Sequence, residues 1–131
     1  MKSSAKRCGC FEMVSRKAKN ALQDILSAIE EVEEYTSGLD LGDYLKSGLV
    51  RRAVERCLEI VSEASRKIPE PLKALHPQVH WAEMRGIGNI LRHEYGAVDD
   101  QVIWRFASKF LIELKPVIQD LLRHIETQPS R

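Results

Sequence analysis

The stretch RGIGNILRHEYGAVDD, Arg85 to Asp100, decides how the rest of the chain is read. Met84, Ile87 and Leu91 recur at intervals of three and four, the spacing of the inward stripe of an α-helix. Arg85, Asn89 and His93 stand four residues apart. Each step of four turns a helix by about 40°, so these three side chains share a second face. Tyr95 follows His93 by two residues, and Gly96 is the residue expected to end the helix. A face carrying Arg, Asn and His, with Tyr at its end, has the groups to donate protons, accept them and hold phosphate. Gly86 and Gly88 lie inside the same helix, where each costs about 1 kcal/mol relative to Ala. Close approach of another helix, as at a dimer interface, is one reason for such a pair; room for a substrate backbone is another.

Outward from this stretch the periodicity stays helical. A helix is expected from about Asn20 to Tyr35 on Leu22, Ile25, Leu26, Ile29 and Val32, ended by Thr36-Ser-Gly38. Glu30, Glu31, Glu33 and Glu34 crowd its C-terminal end, where the helix dipole disfavours them, and read as a solvated face. A longer helix is expected from Leu41 or Gly42 to Lys67, with Leu45, Leu49, Val54, Leu58 and Val61 turned inward and Arg51 facing Glu55. Pro69 and Pro71 close it, and residues 71–75 read as a short helical turn. His76 and His80 are read as loop residues, because Pro77 spoils the register of a two-histidine metal clip. The motif helix should start near Val79 or Trp81, anchored by Trp81 and Met84. A last helix is expected to follow Asp99, its N-cap, and carries Val102, Ile103, Phe106, Phe110, Leu111 and Leu114 through to Ile125. Pro116 should kink or break it near Lys115. No strand-like alternation and no internal repeat occurs. The fold class is therefore all-α, an up-and-down bundle of four main helices plus a short turn.

At 131 residues the chain fits one domain with an ordinary core. Residues 1–15 read as a basic flexible arm, 16–126 as the helical domain and 127–131 as a frayed tail. The arm could touch RNA phosphates, or simply be solvated. A net charge of +1 gives no global attraction to a polyanion, so any nucleic-acid contact must come from a local patch. Cys8, Cys10 and Cys57 cannot all pair within one chain, and Cys57 falls among apolar helix positions. Cys8-Gly-Cys10 supplies only half of a closed zinc site, so neither metal nor cofactor is expected. The first residues are charged with no apolar leader behind them, and no apolar run approaches the ~20 residues of a membrane span. A cytoplasmic setting is the expectation.

The run NILRHEY, preceded by HPQVHW and followed by GAVD, resembles the HEPN domain of HepT-like toxins. The likeness covers most of residues 16–125 and is most specific over 77–100. It implies an all-α homodimer acting as a ribonuclease toxin, opposed by an MNT nucleotidyltransferase antitoxin. The family signature is Arg, four residues, His, one residue, Tyr. His93 and Tyr95 match its last two members, and Asn89 matches the polar residue that commonly follows the Arg. The Arg position itself holds Gly88.

In metal-free RNA cleavage the 2′-hydroxyl attacks the adjacent phosphorus. One group takes its proton, another protonates the leaving 5′-oxygen, and cations hold the phosphate charge. The resemblance assigns proton transfer to His93, whose side-chain type titrates near pH 6.5, with Asn89 beside it. Arg85 or Arg92 then stands in for the missing Arg, from the same protomer or the opposite one. The resemblance also makes Tyr95 the hydroxyl that the nucleotidyltransferase modifies with AMP, placing charge and bulk beside His93. The rival expectation is a weakened or inactive dimer that binds protein or nucleic acid without cutting.

Overall fold

The computed structural model describes the backbone of residues 2–93 and 99–127, and the side chains of residues 16–91 and 99–126. Its elements are α1 (Lys2–Thr36), α2 (Leu41–Lys46), α3 (Gly48–Ser65), α4 (Glu70–Lys73), α5 (Trp81–His93), α6 (Asp100–Arg105), a π-helical turn (Phe106–Phe110) and α7 (Leu111–Thr127). There is no strand among the described residues. The all-α bundle is therefore as the periodicity predicts.

The helix ends follow local chemistry. Gly38 takes a positive φ of 77°, open to glycine without steric cost, just beyond the end of α1. Asp40 and Asp43 form a reciprocal capping box: the Asp43 N–H donates to Asp40 Oδ1 at 2.8 Å, and the Asp40 N–H donates to Asp43 Oδ2 at 3.2 Å. Asp99 caps α6 as expected, accepting from the Gln101 N–H at 2.9 Å.

α3 lies between α1 and α5, and α1 packs on α7 along another side. Leu22, Ile25, Ile29, Leu58, Met84, Ile103, Leu111 and Ile118 meet in one core, all essentially without solvent contact. Burying a side chain of this size stabilises by about 1.5–3 kcal/mol. At the edge of this core Lys115 Nζ donates to Glu33 Oε1 at 2.9 Å, joining α7 to α1. That pair gives one member of the acidic run a partner within the chain. The fourth side of the bundle differs. α5 and the last rod, the continuous run of α6, the π turn and α7, do not pack closely along their backbones, and a cavity of about 500 Å³ opens between them.

Several local expectations are revised. α1 reaches back to Lys2, well before Asn20, so the basic segment is helical backbone. The single helix expected over 41–67 is two, separated at Ser47. Ser47 is extended, with φ −105° and ψ 103°, and its hydroxyl accepts the Val50 N–H at 3.1 Å. A good N-cap followed by Gly48, a poor helix former, restarts the helix here. The restart turns Leu45 and Leu49 outward, 39% and 83% exposed, and puts Tyr44 in the core against the Trp104 ring, 5.1 Å away. The Tyr44 hydroxyl is buried without a hydrogen-bond partner, and burial pushes its pKa up.

The expected Arg51–Glu55 pair does not form. Arg52 meets Glu55 at 3.3 Å, Arg56 meets Glu59 at 3.3 Å, and Arg51 turns to Asp100 at 3.8 Å. α7 is not broken at Pro116. Ile112 and Pro116 both face solvent, so the carbonyl that Pro116 leaves without a donor can meet water. The irregularity lies earlier, at the π turn, where the Leu111 N–H bonds back to the Phe106 carbonyl.

Candidate functional site

α5 presents three edges. Met84, Ile87 and Leu91 enter the core as the spacing predicts. Arg85 and Asn89 are exposed on a polar edge, also as predicted, and the backbone position of His93 continues it at the last residue of the helix. Arg85 and His93 are about 12 Å apart along the axis. The side chains of Arg92 and His93, and all of Tyr95 and Gly96, lie outside the described residues.

What holds this edge against α3 is polar. Ser62 is fully buried, and its hydroxyl donates to the Arg85 carbonyl at 3.2 Å. Ser65, equally buried, donates to the Ser62 carbonyl at 2.7 Å. Two small side chains whose hydroxyls are satisfied by backbone let the two helices approach. Gly88 is buried on this side, one turn after Met84. Gly88 is thus a packed position. Gly86 has the opposite surroundings: a Cβ added there would meet nothing within 4 Å.

Arg66, the residue that closes α3, completes the edge. Its Nη2 donates to Asn89 Oδ1 at 3.4 Å. The motif Arg is absent at position 88, yet a guanidinium from α3 reaches the adjacent residue of α5. The sequence gives no sign of this, because Arg66 and Asn89 are 23 residues apart and on different helices. The only trace is an Arg at the end of a helical stripe, a position usually explained by the helix dipole.

The entry to α5 is also fixed. His76 Nε2 and Asp120 Oδ2 share a hydrogen bond of 2.8 Å, and Trp81 Nε1 donates to the His76 carbonyl at 3.2 Å. The His76 bond, reinforced by Arg123, holds the Asp120 carboxyl below its usual range. His76 and His80 are both loop residues, and His76 is structural, tying the segment before α5 to α7. Cys57 is buried, and burial, with Glu31 adding to it, pushes its thiol up to about 11. It is a core residue rather than a nucleophile. Among the described residues no three His, Cys, Asp or Glu side chains gather as metal ligands, and no helix is long and apolar enough to cross a membrane.

Comparison with known proteins bears on the family. A family profile described as "Ribonuclease HepT-like" matches residues 25–121, which include all of α3 and α5 and part of the core stripes of α1 and α7. A Thermococcus cleftensis protein named "Probable ribonuclease HepT" is 38% identical over 108 residues, covering 82% of this chain and 98% of its own. Two Methanocaldococcus jannaschii proteins, each named "Putative RNase", are 35% and 30% identical, covering 82% and 87% of this chain and 98% of each relative. No solved structure matches the chain. The α-helical bundle, the matching profile and these relatives together place the chain in the HepT-like ribonuclease family of HEPN domains.

Proposed function

We propose that the chain is a metal-independent endoribonuclease that works as a homodimer and is the toxin of a toxin–antitoxin pair. The observation that carries this reading is the polar edge of α5, where Arg85 and Asn89 are exposed in register with His93 and Arg66 joins them from α3. In this reading His93 moves protons between the 2′-hydroxyl and the leaving 5′-oxygen. Asn89 orients it, and guanidinium groups hold the phosphate. Arg66, Arg85 and Arg92 are the available guanidinium groups in place of the one lost at Gly88. The 12 Å between Arg85 and His93 is long for joint action on one phosphate. Two motif helices facing each other across a dimer axis shorten that reach.

Purified full chain and single-stranded RNA test the chemistry. His93→Ala should lower cleavage by about 100-fold or more with an unchanged melting curve; equal cutting by wild type and variant sinks the assignment. Arg66→Ala should lower it by about tenfold, with Arg66→Lys recovering only part, because a lysine lacks the planar fork. Light scattering should give twice the chain mass. The partner is an MNT-type nucleotidyltransferase, and co-expression with one should add the mass of AMP at Tyr95. An adenylated Tyr95 blocks the cleft by charge and bulk.

A second reading keeps the dimer but not the cutting, and the buried position of Gly88 favours it. An Arg placed there must run its stem along α3 before its head reaches the polar edge. Gly88→Arg separates the two. Gain of cleavage by an otherwise silent chain identifies a site weakened by the glycine. An active wild type that gains nothing shows that the neighbouring arginines suffice.

A further inference from the structure

The edge of α5 that faces the last rod is used by nothing described so far. Glu83, Gly86, Ile87 and Ile90 form its wall, at intervals of three and four. Val102, Arg105, Phe106, Lys109, Phe110 and Glu113 form the opposite wall at the same intervals. Between them lies the cavity of about 500 Å³, open to solvent. The Phe106 and Phe110 rings lie against each other, tilted, with centroids 4.4 Å apart and planes 31° from parallel, both carried by the π turn. Ile90 and Val102 are 41% and 42% exposed at the mouth. Among the described residues Arg105 and Lys109 are exposed and make no ion pair, although Glu83 and Glu113 line the same cavity. The backbone position of His93 continues the α5 wall, one turn beyond Ile90 and two beyond Gly86.

We infer that this groove is a nucleobase subsite for the single-stranded RNA cut at the His93 edge. The inference rests on the ribonuclease reading above. A base has two apolar faces and a polar rim. The faces match the two phenylalanine rings and Ile90, since aromatic stacking accepts any base. The rim carries amino N–H groups that the carboxylates of Glu83 and Glu113 can accept, and the flanking phosphates can meet Arg105 and Lys109. The balance of two acids and two bases around an aromatic floor suits a nucleotide better than a bare phosphate. Gly86 leaves the space open, because any side chain there would project toward the cavity it lines. A base held beside Ile90 sets its phosphate within a turn or two of position 93. The subsite would select unpaired RNA, because a base inside a duplex has no free face.

The test uses the full chain and a fluorescein-labelled single-stranded RNA with 2′-O-methyl groups, which binds but lacks the attacking hydroxyl. Gly86→Leu fills the groove without touching the polar edge and should weaken binding by tenfold or more, with a melting temperature no lower than wild type. Phe106→Leu keeps the apolar bulk but removes a ring face, and should weaken it by about fivefold. If both groove variants bind the probe as wild type does, the subsite is wrong. If the wild type binds no probe, both subsite and ribonuclease reading fall. If Gly86→Leu changes only the mass seen by light scattering and leaves probe affinity intact, a second copy of the chain occupies the groove and the inference fails. Should the groove variants lose binding while wild type cuts no RNA, the subsite stands and the catalytic reading does not.

Discussion

α5 is packed differently along its two flanks, and two glycines two residues apart mark the contrast. On the α3 flank Gly88 is buried and the seam is closed by Ser62, Ser65 and Arg66. On the flank toward the last rod Gly86 faces open space, and the helices stand apart. One glycine sits in a packed seam and the other beside open space. A helix built this way is held firmly by one neighbour and left accessible on the other, which suits an element that must present side chains to a large ligand.

The contrast can be broken first at its tight flank. Gly88→Leu should destabilise the chain by about 1–3 kcal/mol, the usual cost of overpacking, read as a lowered midpoint in urea. A variant as stable as wild type would mean that α3 does not press on position 88. At the open flank the sign reverses. Gly86→Ala should stabilise by about 0.5–1 kcal/mol, because Ala is the better helix former and nothing opposes its methyl group. A destabilised Gly86→Ala would abolish the distinction between the glycines.

The smallest effect sharpens how α5 is anchored. Hydrogen bonding to His76 depresses the folded-state pKa of Asp120. A depressed carboxyl contributes stability that is present above its unfolded pKa, near 3.9, and is lost as pH falls through the lower folded value. Asp120→Asn should therefore melt slightly below wild type at pH 6, and the gap should close under strongly acid conditions. A gap that stays constant with pH would remove the carboxylate from the account.

Much of this was legible in the sequence because one-dimensional spacing encodes it. The inward stripes of α1, α3, α5 and α7 follow from the period of a helix, and so does the shared edge of Arg85 and Asn89. The Asp99 cap was equally readable. What was not legible depends on the meeting of separate segments or on a local break in register. Leu45 and Leu49 continue the apolar pattern of α3, so only the extended Ser47 reveals that the register restarts and that Tyr44 points inward. Phe106 and Phe110 look like ordinary core positions, yet both are only half-buried. Arg66 looks like a helix-end cation until α3 is laid beside α5.

The π turn at Phe106–Phe110 has a consequence for how this chain tolerates length changes. A widened turn of this kind is what one surplus residue produces inside an α-helix, absorbed without unfolding it. Deleting one residue there would close the widening and return a regular α-helix, with the segments on either side still in register. The same deletion in a regular turn of α7 would instead swivel everything beyond it by about 100°. A one-codon loss in this short segment is thus one that the chain can absorb with every helix of the bundle able to form.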